Sequence, residues 1–216
     1  MALTKFNFNS FDLTTAASTG IAFNASANGL TTAAAGAMTL IATNTISSGV
    51  SSSSFTSGID STYDTYMFKF INIHGATDGS EFTVNFRDGS SAFDATKTTT
   101  SFYYYHAEND SEAGGSYKAD GDLAQGTGYQ RLMDGSVSGA DNDQSLCGDL
   151  FLFSPSSTTF VKHFIAKTNS AMNWDASGNY FVAGYCNVTA AIDGVDFKFS
   201  SGNIDSGVIK MYGITK

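Results

Sequence analysis

From residue 62 onward, apolar side chains recur at every second position in one short segment after another. That rhythm belongs to strands with one face buried in a sheet. In TYMFKFINI (residues 65–73), Tyr66, Phe68 and Phe70 share one parity. In EFTVNFR (81–87), Phe82, Val84 and Phe86 lie on one side and Glu81, Thr83, Asn85 and Arg87 on the other. TTSFYYYH (99–106), LCGDLFLF (146–153), TTFVKHFIA (158–166), NYFVAGYC (179–186), GVDFKFS (194–200) and GVIKMYGI (207–214) continue the series. The single Pro sits in the turn Ser154-Pro155-Ser156-Ser157, where its fixed φ is an advantage. Residues 107–128 are polar and Gly-rich and read as a long loop, or as loops around one short element. No segment makes a good amphipathic helix; the nearest is Ala-rich 31–42, weakened by its Thr and Gly. Short strands with frequent turns predict an all-β fold, an antiparallel two-sheet sandwich of jelly-roll-like type.

The first 60 residues are different. They carry three charges, Lys5, Asp12 and Asp60, and 41 of them are Ala, Ser, Thr, Gly or Asn. We read residues 1–58 as an arm and 59–216 as the sandwich domain, with 47–58 (SSGVSSSSFTSG) as its linker. Phe6, Phe8 and Phe11 alternate with polar residues before Leu13, a strand-like pattern. An apolar strand face must find a sheet, so these four residues are the expected assembly anchors.

Composition excludes several function classes. Aromatic residues make up 13% of the 216, against the pattern of a disordered chain. Two Cys and no CxxC pair predict neither a disulfide framework nor a structural zinc site. A net charge of −9 without a Lys/Arg cluster argues against nucleic acid and against anionic membranes as partners. No apolar run approaches the ~20 residues of a membrane-spanning helix. The opening MALTKFNFNS lacks a charged stretch followed by an apolar one, which predicts a product that stays in the cytoplasm where it is made.

Catalytic patterns are sparse. Gly135-Ser136-Val137-Ser138-Gly139 lacks the central Ser of a nucleophile elbow. Cys147 and Cys186 lie in apolar strand patterns and read as buried, inert thiols. His74 reads as a turn residue. His163 faces outward beside Val161 if Phe160 and Phe164 face inward. The pairs Asp110/Glu112, Asp120/Asp122 and Asp141/Asp143 have a spacing that can chelate calcium on a turn, but none completes an EF-hand loop. No catalytic, metal or cofactor residue is assigned. The run Phe102-Tyr103-Tyr104-Tyr105-His106 cannot point all one way on a strand, so some members meet solvent or a partner. Tyr103, Tyr104, Tyr105 and His106 are therefore the candidate contacts to a partner or receptor.

Three strings carry a resemblance: IDSTYDTYMFKFINIH (59–74), SPSSTTFVKHF (154–164) and DFKFSSGNIDSGVIKMYGI (196–214). They resemble the β-domain of small virion structural proteins of marine bacteriophages, cyanophages and pelagiphages among them. The resemblance implies a structural protein of the particle surface, made in the bacterial host cytoplasm and carried in the virion. It brings no active-site residue. The resemblance fits capsid decoration, a head fibre or a tail fibre alike; the long, nearly uncharged N-terminal segment favours capsid decoration through subunit–subunit assembly, without catalysis. The partners would be the major capsid or tail proteins and further copies of the chain, a trimer being one form. An alternative is host recognition by a tail or head fibre, through loops 107–128 and 134–145. A minor alternative is a glycan hydrolase or depolymerase using loop carboxylates such as Asp120 and Asp122.

Overall fold

A computed structural model of the chain describes residues 20–23, 30–33, 37–134 and 141–214. The chain divides into two compact units, residues 1–37 and 38–216. In the first, β1 (Gly20–Phe23) and β2 (Leu30–Ala33) pair antiparallel, with Gly20 opposite Ala33. Phe6, Phe8, Phe11 and Leu13 lie outside the described residues.

The second unit is an antiparallel two-sheet sandwich. Its strands are β3 (Met38–Ile46), β4 (Ser53–Phe55), β5 (Thr65–Gly75), β6 (Phe82–Arg87), β7 (Lys97–Ala107) and β8 (Ala113–Tyr117). They continue with β9 (Gln130–Arg131), β10 (Leu146–Phe153), β11 (Lys162–Met172), β12 (Ala176–Cys186), β13 (Gly194–Phe199) and β14 (Ile204–Ile214). The larger sheet has eight strands in the order β3-β14-β5-β10-β11-β12-β7-β8, and the smaller has four in the order β4-β13-β6-β9. The chain repeatedly leaves the large sheet, places one strand in the small sheet and returns, as at β5–β6–β7 and β12–β13–β14. Among the described residues there is no helix.

The core lies between the sheets. Phe82, Val84 and Phe86 of β6 and Val195, Phe197 and Phe199 of β13 meet Phe68 and Phe70 of β5, Leu150 and Leu152 of β10 and Phe164 of β11. Phe197 is the hub: its ring centroid lies 5.4 Å from Phe68, 5.1 Å from Phe70 and 5.9 Å from Phe82. The back of the small sheet is covered as well. Asn85 Nδ2 donates to the Thr127 carbonyl at 3.0 Å, and the Tyr129 hydroxyl donates to Asp196 at 2.7 Å. Every residue from Phe82 to Phe86 is therefore buried, polar ones included.

Several expectations are corrected. The compact unit starts at Met38, not at residue 59: β3 joins the large sheet beside β14, and β4 pairs with β13 inside the segment read as a linker. Phe55 of that segment is core. The Ala-rich stretch 31–42, read as a poor helix, contributes to β2 and β3 instead, where strand pairing outweighs alanine's helix propensity. Of the two readings of the polar stretch 107–128, loops around one short element is the one observed: the element is β8, paired with β7. Phe160 lies before the start of β11 and is 74% exposed, so it does not share the inward face of Phe164. Lys162 takes that face instead and is fully buried. Its Nζ donates to the carbonyls of Val188 at 2.5 Å, Ala190 at 2.6 Å and Ser157 at 3.3 Å. Three acceptors match the three N–H bonds of an ammonium group.

Candidate functional site

The small sheet covers one face of the large sheet. The other face is built from the alternate residues of the same strands. Strand β11 shows this most plainly: its residues alternate buried and exposed along its whole length. Lys162, Phe164, Ala166, Thr168 and Ser170 point inward, and His163, Ile165, Lys167 and Asn169 point outward. Strand pairing lines the outward residues of neighbouring strands into rows.

One row runs Leu40, Tyr212, Met67, Phe151, Ile165, Ala183, Thr100 across seven strands. A second places Met38, Ile214, Thr65 and Phe153 side by side, and His163 beside Tyr185. A third runs Lys210, Lys69, Asp149, Lys167, Phe181, Phe102, Tyr117. Leu40 is 51% exposed, Ile165 52%, Phe102 40% and Tyr104 57%. The rings order one another: Phe102 stacks on Phe181 at 5.0 Å, and Phe151 on Phe153 at 6.3 Å. Between Ile165 and Thr100 the small side chain of Ala183 leaves an apolar groove of about 550 Å³. An apolar face repeated over so many strands is unusual on a surface facing only water. Its charges are Lys69, Lys167 and Lys210 against Asp149, a local excess of positive charge on a chain of net charge −9.

The aromatic run of β7 divides as strand alternation requires. Phe102, Tyr104 and His106 are exposed, with Phe102 and Tyr104 on the outer face. Tyr103 and Tyr105 are half-buried on the opposite side and stack at 5.9 Å, with the Lys118 ammonium 5.2 Å from the Tyr103 ring. The four proposed contact residues therefore do not form one surface. Gly115 sits opposite Tyr104 on β8; a Cβ there would lie 2.2 Å from the Tyr104 ring, so that position must lack a side chain for the ring to lie flat.

His74, His106, Asp120 and Asp122 have structural partners. Both ring nitrogens of buried His74 are engaged, Nδ1 with Asp205 at 3.4 Å and Nε2 with the Asp141 carbonyl at 3.4 Å. His106 pairs with Asp110 at 3.0 Å on the surface. Asp120 pairs with Lys118 at 3.5 Å and Arg131 at 3.4 Å, while Asp122 accepts a hydrogen bond from Tyr117. Among the described residues, no three His, Cys, Asp or Glu side chains converge to hold a metal ion.

The two thiols differ, which corrects the expectation that both are buried. Cys147 is exposed on the outer face, and Cys186 is buried on the inner face between Lys97 and Lys162. Burial pushes the Cys186 thiol up to about 12. At pH 8, Ellman's reagent is expected to titrate one thiol in the native protein and both after unfolding. Two fast equivalents from the native protein would contradict the burial of Cys186.

Sequence reasoning missed the outer face, although a signal was present. In LCGDLFLF both parities are apolar at Leu150-Phe151-Leu152-Phe153. Apolar residues on both parities are the pattern of a strand covered on both faces. It also missed Trp174, the single tryptophan, half-exposed in the β11–β12 turn with its ring 5.3 Å from Tyr105. No family model, curated protein or solved structure matches the chain.

Proposed function

We propose that the chain is a non-catalytic structural protein of a bacteriophage particle, a head-associated decoration protein that works by assembling with further copies of itself. The observation that carries this reading is the outward apolar face of the eight-stranded sheet, which has no second layer within the sandwich unit. Burying that face between subunits removes rows of aliphatic and aromatic side chains from water, at roughly 25 cal/mol per Å² of apolar surface. The lysines of the face set the geometry. Two copies meeting face to face would oppose like charges. A head-to-tail contact lets Lys69, Lys167 and Lys210 meet carboxylates on a different surface of the neighbour. Where the rotation between neighbours closes, such heterologous contacts form rings, of which a trimer is one. The phage origin rests on the resemblance of residues 59–74, 154–164 and 196–214.

A second reading, receptor binding by a fibre, draws on a different corner of the molecule. Trp174 lines a shallow cavity of about 470 Å³ with Glu108, Asn109, Glu112 and Asp175. An exposed aromatic ring among polar groups is a platform for a sugar ring.

Immunogold electron microscopy of the encoding phage, with an antibody against this chain, separates the readings. Gold over the head is the expected result. Gold confined to fibre tips would replace decoration with receptor binding, and unlabelled, antibody-accessible particles would overturn the virion assignment.

A further inference from the structure

The interior holds a lysine that assembly does not explain. Lys97 opens β7 with its side chain fully buried, and among the described residues no carboxylate forms an ion pair with it. Its Nζ has two hydrogen-bond partners, Asn85 Oδ1 at 2.5 Å and the Ala95 carbonyl at 2.7 Å. Buried Lys162 shows the contrast, with three carbonyl acceptors for three N–H bonds. Two acceptors suit a neutral amine, which has two N–H bonds and a free lone pair. Burial acts the same way and lowers the Lys97 amine from 10.5 to about 8. Cys186, Asp94 and Asp88 oppose this, and burial outweighs them.

Asn85 is equally enclosed, at 1% exposure on β6. Its Oδ1 also accepts the Phe86 backbone N–H at 2.9 Å, and its Nδ2 donates to the Thr127 carbonyl at 3.0 Å. The amide is thus held at both ends, with its carbonyl polarised by two donors. With Nζ 2.5 Å from Oδ1, the carbonyl carbon Cγ is at most about 3.7 Å from Nζ, one C=O bond length farther. That is close to the ~3–3.5 Å of a near-attack arrangement.

We propose that Lys97 and Asn85 join in an intramolecular isopeptide bond that ties β7 of the large sheet to β6 of the small one. Rotation about Cε–Nζ releases the hydrogen bond to Oδ1 and turns the amine lone pair onto Cγ; the lone pair attacks, and the carbonyl electrons move onto Oδ1, where the Phe86 N–H meets them. A proton passes from Nζ to Nδ2. The Cγ–Nδ2 bond then breaks, Oδ1 regains its double bond and ammonia leaves. One amide replaces another, so no oxidant or cofactor enters. Water is excluded from both groups, which removes hydrolysis as a competing outcome.

The test is mass spectrometry of the purified full-length protein. The expected intact mass is about 17 Da, one ammonia, below the sum of its residues. Trypsin then fails to cut after Lys97 and releases residues 70–87 joined to 88–118 as one branched peptide. Lys97→Met and Asn85→Ala each restore the mass calculated for that variant. A wild-type mass equal to the sum of its residues, with cleavage after Lys97, overturns the proposal. So does a loss of about 17 Da confined to a linear peptide, the mark of a succinimide rather than a cross-link.

Discussion

Ile165→Lys is expected to leave the sandwich folded and to abolish self-association. Ile165 lies on β11, in the row between Phe151 and Ala183, and half its surface faces outward. In a single copy the new ammonium group reaches water, so the fold loses little; exposed substitutions usually cost within about 0.5 kcal/mol. Within an assembled face, that charge would be buried among apolar side chains beside Lys167. Removing an anchor and burying an unpaired charge together cost at least about 3 kcal/mol, a factor of ~100 or more in Kd. Sedimentation velocity at micromolar concentrations is expected to show an oligomer for the wild type and a monomer for Ile165→Lys, with identical circular dichroism. Ile165→Val, which keeps the apolar contact, should remain oligomeric. A wild type that stays monomeric at high concentration would show that copies of the chain do not cover this face. The reading would then pass to a different virion protein as its occupant.

The parts of this molecule legible in the sequence are those where one side chain in two is large and apolar. Phe82, Val84 and Phe86 announced both their strand and its inward face, because a sheet can bury such residues in only one way. Strand β10 was legible to its boundaries, Leu146 to Phe153. Strands β3 and β4 were not. Their large core residues, Ile46 and Phe55, are separated by small or polar ones, Ala42, Asn44 and Ser53, and they enter the sheets through backbone pairing with β14 and β13. Such pairing depends on partners more than 100 residues away and leaves no periodic trace.

The buried lysines were illegible for a related reason. Parity alone put Lys162 beside Phe164, but a lysine inside a core is acceptable only where carbonyls meet it. Those carbonyls come from Ser157 and from Val188 and Ala190, on loops that only the fold brings together. The outer face was visible as apolar residues on both parities. What remained hidden was that one of those faces has no second layer within the sandwich unit.

Phe197→Ala is expected to be the most destabilising single truncation in the sandwich. Its ring is fully buried and lies within 6.4 Å, centroid to centroid, of Phe55, Phe68, Phe70 and Phe82. Those four rings come from three strands of both sheets, so their positions leave little freedom for collapse into the space vacated. Truncating a buried Phe costs about 3–5 kcal/mol, transfer and cavity terms together. A domain of ordinary stability holds only about 5–15 kcal/mol. For a chain of this size the melting temperature is expected to fall by roughly 6–20 °C. Urea unfolding gives the same comparison isothermally: the midpoint should drop with little change in slope, since the two native states bury similar surfaces. Phe160→Ala is the control, because that ring is 74% exposed and should shift the midpoint little. Equal losses at Phe197 and Phe160 would mean that the five-ring cluster is not the centre of the core, and that the two sheets are held together elsewhere.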